Sequence, residues 1–86
     1  MKYIYMVTRI VTGDKHGSAV PTLGCHTSLK LAIKHFNDIV EDRVGCGATL
    51  QWRHNLPQSK YNNRAEEALL VNGEESERLF IERWRV

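Results

Sequence analysis

Cysteine is scarce in this chain of 86 residues. Its two cysteines, Cys25 and Cys46, are too few to staple a small secreted scaffold, which points to a reducing, cytoplasmic setting. Proline is equally rare at two residues and glycine reaches only six, so the composition is neither linker-like nor disordered. Aromatic residues make up 8%, leaving few rings to divide between a core and a binding surface. No apolar run approaches the about 18 residues of a membrane span. The opening Met1-Lys2-Tyr3-Ile4-Tyr5-Met6-Val7-Thr8-Arg9 is too short and too alternating for a signal-peptide core. Neither sign of charge dominates: 12 Lys and Arg against 10 Asp and Glu leave +2, short of the basic excess expected of a direct nucleic-acid binder.

Chemical motifs are missing as well. The chain has no glycine-rich phosphate pattern, no H-E-x-x-H and no serine elbow, and it shows no nucleophile accompanied by a base. Cys46 falls between Gly45 and Gly47 at the expected end of a helix, where the dipole disfavours a thiolate. Cys25, His26, Cys46 and His54 are the first candidates for a metal, with His16 and His35 in reserve. Neither C-x-x-C nor H-x-x-x-H occurs among them, so the spacing is poor for zinc. A Cys25–Cys46 bridge would have to span a 16-residue helix of about 24 Å. These absences predict a binding protein, not an enzyme, with no cofactor and no required metal.

What is present is periodicity. A chain of this length buries only about 60% of its unfolded surface, so one domain over 1–86 with a shallow working surface is expected. Lys2 to Thr12 alternates with apolar residues on both faces, which predicts the middle strand of the sheet, covered on each side. Gly13 to Ser18 is turn chemistry, and Pro21 marks the short strand Val20 to Cys25 as an edge. Leu29, Ile33, Phe36, Val40 and Val44, widened by Ala32 and Ile39, form a helical stripe. Thr27 or Ser28 can cap this helix, and Gly45 suits its left-handed stop. Ala48 to His54 alternates with Ala48, Leu50 and Trp52 on one side. Asn55 to Asn63 reads as a loop. Glu67 to Val71 and Glu77 to Arg85 read as a hairpin with a loop somewhat longer than two residues, although Asn63 and Glu66 also fit the capping box of a short helix ending at Gly73. The fold class that follows is α+β: a small antiparallel sheet of four or five strands with one amphipathic helix packed on a face.

Charge is segregated along the chain. Residues 1–36 carry five positive charges and one negative, residues 65–77 carry five negative ones, and residues 78–86 carry three positive and one negative. The acidic group Glu66, Glu67, Glu74, Glu75 and Glu77 reads as a solvated hairpin tip. Arg83 and Arg85 share a strand face with Leu79 and Ile81, while Trp84 and Phe80 take the other. Arg53, His54, Lys60, Tyr61 and Arg64 join them if the third strand and its loop lie alongside. Arginines interleaved with aromatics suit phosphates and stacked bases. The competing reading puts Trp52, Phe80 and Trp84 in the core and leaves the arginines solvated. Lys30 and Lys34 on the outer helix face form a weaker basic feature.

The order of three motifs carries a resemblance. They are an opening K-x-I-Y-x-V-T strand, then L-G-C-H-T-S-L-K-L-A-I-K-H-F, and a closing L-F-I-E-R-W-R-V. The chain resembles a loose group of small domains of phages, prophages and mobile elements. Leu23-Gly24, Thr27 and Ala32 match the group's helix start, with Cys25-His26 replacing its usual hydrophobic-aromatic pair. Ile81 to Val86 matches its closing strand. The resemblance covers both ends and the helix, and it transfers no functional residues. It implies a non-enzymatic accessory protein that inhibits a host protein or ribonucleoprotein, most specifically an anti-CRISPR protein acting on an RNA-guided effector. A small RNA- or single-stranded-DNA-binding domain is the alternative. No membrane partner is expected.

Overall fold

Alternating and helical periods resolve into five strands and one helix in a computed structural model, which describes residues 2–12, 22–56 and 63–86. The elements are β1 (Tyr3–Thr12), β2 (Thr22–His26), α1 (Leu29–Gly45), β3 (Thr49–Asn55), β4 (Arg64–Asn72) and β5 (Glu75–Arg85). The strands form one sheet in the order β2-β1-β5-β4-β3, and every neighbouring pair is antiparallel. The α+β expectation of one helix on a small antiparallel sheet is met. The predicted turn from Gly13 to Ser18 lies outside the described residues, as do Val20, Pro21, Lys60 and Tyr61.

β1, expected in the middle of the sheet, lies second from one edge instead, and the central strand is β5. That strand buries Leu79, Phe80 and Ile81 in succession, Leu79 and Ile81 beneath α1 and Phe80 on the opposite face beneath the Arg64 guanidinium. β2 is an edge. The chain leaves it through α1, which passes over one face of the sheet and delivers β3 to the opposite edge. The segment at 64–72 is a strand, so the short-helix alternative is set aside. The hairpin loop is tighter than predicted: Asn72 pairs with Glu75, leaving only Gly73 and Glu74 between strands. Gly73 has φ +65°, the first central position of a two-residue turn whose twist matches the flanking strands.

Helix α1 is held at both ends by its own sequence. Of the two hydroxyls able to cap it, Ser28 does so: its side chain accepts from the Leu31 amide at 3.1 Å. The stop is at Gly47, not Gly45. Gly47 takes φ +103°, its N–H donates to Val44 O at 3.1 Å, and the Ala48 N–H donates to Arg43 O at 3.0 Å. These two bonds satisfy carbonyls that the last turn leaves free. Ser28→Ala should cost about 1 kcal/mol and lower the melting temperature by about 4–8 °C. Ser28→Asp should melt close to wild type; equal loss in both variants would mean the cap bond contributes nothing.

The core lies between α1 and the sheet. Ala32, Phe36 and Val40 are buried against Val7, Ala68, Leu70, Leu79 and Ile81, with Leu29, Ile33 and Ile39 packed at the margin. Val44 departs from the predicted stripe and is exposed. Arg43 takes its place, reaching the sheet to donate to Glu77 Oε1 at 3.0 Å. No helix among the described residues is long and apolar enough to cross a membrane.

Candidate functional site

Because cross-strand partners share a face, the pairing register sorts the chemically interesting side chains onto two sides of the sheet. Tyr5, Val7, Arg9 and Val11 of β1 lie opposite Arg83, Ile81, Leu79 and Glu77 of β5, and these face α1. Ile4, Met6, Thr8 and Ile10 lie opposite Trp84, Glu82, Phe80 and Arg78, and these face away from it. On β3 the register shifts between Leu50 and Trp52, so Gln51 acts as a bulge. Leu50 and Trp52, predicted to share a side, are therefore separated. Arg53 turns toward the helix, and Trp52 and His54 turn away.

The predicted site residues accordingly fall in three places. Arg53 is on the helix side, where its Nε meets Glu66 Oε1 at 2.6 Å and its guanidinium lies 4.9 Å from the centre of the Phe36 ring. Glu66 is only 4% exposed and also accepts from Asn55 Nδ2 at 3.1 Å. Arg53 thus closes the core and compensates a buried carboxylate. His54 and Arg64 are on the opposite face. Arg83 and Arg85 are at the far end of β5, where the Arg83 guanidinium lies 4.6 Å from the centre of the Tyr3 ring. Near that end an open pocket of about 620 Å³ is lined by Lys2, Tyr3, Ile4, Tyr5, Thr27 and Val86. Lys60 and Tyr61 lie outside the described residues.

The acidic group also divides. Glu74 and Glu75 are exposed at the turn, but Glu66 and Glu77 are buried and Glu67 is partly so. Glu77 holds two arginines: Arg43 Nε on one oxygen and Arg9 Nε on the other, both at 3.0 Å. The Arg9 contact is close but misaligned for a hydrogen bond. Burial alone would lower the Arg43 pKa, but the carboxylates of Glu77 and Asp42 outweigh it and hold the guanidinium above its usual value. This end is a structural ion-pair cluster in which two partly exposed guanidiniums compensate the buried Glu77 carboxylate.

The face away from the helix has a different character. Trp52 and His54 stack with ring centres 4.9 Å apart and planes inclined by 25°. The Arg78 guanidinium lies 5.8 Å from the Trp52 ring centre, and that of Arg64 lies 4.1 Å from the centre of the buried Phe80 ring. Arg64 is ion-paired with Glu67, and Asn63 Nδ2 donates to Glu82 Oε2 at 3.4 Å. Trp84 is 47% exposed, and Trp52, Leu69, Val71, Ile4, Met6 and Ile10 are partly exposed. The reading that puts all three aromatics in the core does not hold: Phe80 is core, Trp84 is surface and Trp52 is between. Arg78 was missed; its position one residue before the buried run Leu79-Phe80-Ile81 was the available signal. Among the described strand residues of this face, Arg64 and Arg78 are matched by Glu67 and Glu82.

Among the described residues the candidate metal ligands do not assemble as a set, and His16 lies outside them. Cys25 and Cys46 are both exposed free thiols, and no group of three or more metal-binding side chains occurs among the described residues. His26 instead faces His35, with Nε2 and Nδ1 3.0 Å apart. Comparison with protein families, characterised proteins and solved structures finds no match.

Proposed function

We propose that the chain is a non-enzymatic binding protein that seats a folded protein partner on the face of its sheet away from α1. The observation that carries this reading is the exposed Trp84, on the same face as the partly exposed Trp52, Leu69 and Val71. Large aromatics with balanced charge around them are what protein hot spots are made of. The resemblance to phage-type accessory domains supports the more specific role: an inhibitor of a host protein or ribonucleoprotein, such as an anti-CRISPR protein occupying an RNA-guided effector. Balanced charge on this face, Arg64 and Arg78 against Glu67 and Glu82, favours protein over nucleic acid, which would call for an excess of phosphate-neutralising cations. The stacked Trp52–His54 pair with Arg78 above it is the one feature favouring single-stranded nucleic acid, since such platforms stack bases.

One experiment separates the two. The protein is used to capture partners from a bacterial lysate, with and without nuclease and at low and moderate salt, alongside Trp84→Ala and Trp52→Ala. A defined protein should survive nuclease and moderate salt. Each tryptophan variant should weaken it by about 2 kcal/mol, or roughly thirtyfold. Nucleic acid captured alone and lost at moderate salt would replace this reading with the nucleic-acid one. A partner held equally well by both variants would show that another surface is used.

A further inference from the structure

Outside the surface just described, two imidazoles among the described residues converge with no part in the core. His26 ends the edge strand β2, and His35 lies in α1 above it. Their facing nitrogens, Nε2 of His26 and Nδ1 of His35, are 3.0 Å apart, with the rings 5.1 Å centre to centre and inclined by 77°. Both residues are partly buried. Two imidazoles bound to one ion at about 2.0–2.1 Å stand about 2.8–3.0 Å apart at right angles and about 3.3–3.4 Å apart in a tetrahedron. The observed spacing is that of an imidazole hydrogen bond and equals the right-angled spacing, so an ion needs the two rings to turn toward a common point without moving apart.

A second observation concerns the floor beneath the pair. A Cβ built on Gly24 would come within 2.5 Å of His35 Cε1, 2.6 Å of His35 Nδ1 and 3.1 Å of His26 Nε2. Any side chain at 24 would collide with the His35 ring and crowd the same two nitrogens. Glycine therefore opens the slot in which the rings meet.

We propose that His26 and His35 form a two-imidazole site for a divalent late transition metal of tetragonal preference, Cu²⁺ before Ni²⁺, joining β2 to α1. The lone pairs of His26 Nε2 and His35 Nδ1 occupy two adjacent positions, and water fills the others. In the metal-free protein these nitrogens share one proton in a hydrogen bond. On binding, that proton moves to the outer nitrogen of the donor ring, so the neutral pair releases none. Right-angled nitrogen ligands suit Cu²⁺ and Ni²⁺ better than tetrahedral Zn²⁺, and Cu²⁺ binds such donors most tightly.

The test uses the full chain carrying Cys25→Ser and Cys46→Ser, because both thiols are exposed and would bind and reduce the ion. Titration with Cu²⁺ at neutral pH, followed by electron paramagnetic resonance, should saturate at a single site with splitting from two nitrogens. His26→Gln and His35→Gln should each weaken binding at least about tenfold. Gly24→Ala removes no ligand yet should weaken it by a similar factor by displacing the ring. His54→Gln, on the other face of the sheet, should bind as before. Circular dichroism of each variant checks that it is folded, and His26→Gln at the sheet edge serves if His35→Gln disturbs the helix. A signal without two-nitrogen splitting, or affinity unchanged in folded His26→Gln, would show a plain imidazole hydrogen bond and overturn the proposal. Full affinity in Gly24→Ala would overturn the role given to the glycine slot.

Discussion

Phe36→Ala should lower the unfolding free energy by about 3–5 kcal/mol and the melting temperature by more than about 12 °C. The side chain is fully buried at the middle of α1, within the cluster formed with Val7, Ala68, Leu70, Leu79 and Ile81. Truncation removes the transfer energy of the ring and leaves a cavity that a helix fixed at both ends cannot readily close. It also takes away the surface under the Arg53 guanidinium, 4.9 Å from the ring centre. Small domains have total stabilities of about 5 kcal/mol upward, so the variant should stand near the limit of folding. Leu31→Ala, at a position 51% exposed on the same helix, should change stability by less than about 0.5 kcal/mol. Thermal and urea unfolding measure both. A Phe36→Ala protein melting within about 2 °C of wild type would mean that α1 does not pack on the sheet through this residue.

Phe36 was legible from sequence because the helical stripe repeats without interruption, and nothing but a helix on an apolar face explains it. The last turn was not legible. An apolar count selects Val44, whereas the structure selects Arg43, because Glu77 on β5 supplies a partner 34 positions away that no local pattern reveals. The same long-range pairing explains the acidic residues. Their spacing along the chain is that of a solvated tip, yet Glu66 and Glu77 point inward to arginines from β3, β1 and α1. Strand periodicity predicted β3 well but assigned its faces wrongly beyond Leu50, since one bulged residue reverses every side chain after it. Two such irregularities divide the candidate surface: the reading that sets His54 and Arg64 beside Arg83 and Arg85 fails because the shift on β3 turns His54, and the shift between Arg64 and Glu66 on β4 turns Arg64, to the opposite side. Sheet order was equally hidden. The central position of β5 is foreshadowed only by its three successive buried residues, which a hairpin reading does not use.

Arg53→Met should destabilise the protein by about 2–4 kcal/mol, although the residue lies on an edge strand and carries a charge of the kind usually left to solvent. The cause is Glu66, whose side chain is 5% exposed while that of Arg53 is 30% exposed. Without the guanidinium, the carboxylate keeps, among the described side chains, only Asn55 Nδ2 at 3.1 Å and stays desolvated without a counter-charge from them. Breaking a buried pair from one side costs about 3–5 kcal/mol, and partial exposure of the arginine reduces this. Replacing both partners has a different outcome: Arg53→Met with Glu66→Leu should recover most of the loss, because apolar side chains of similar volume need no compensation there. A double-mutant cycle by urea unfolding measures the coupling, which should be about 1.5 kcal/mol or more. The result bears directly on how the surface is probed. Arg53→Glu would set a second carboxylate against Glu66, so a loss of binding in that variant would report unfolding, whereas Arg78→Glu and Trp84→Ala act on the face away from the helix. If Arg53→Met costs less than about 0.5 kcal/mol and the double variant is no more stable than it, Glu66 is adequately solvated and Arg53 is free to contact a partner.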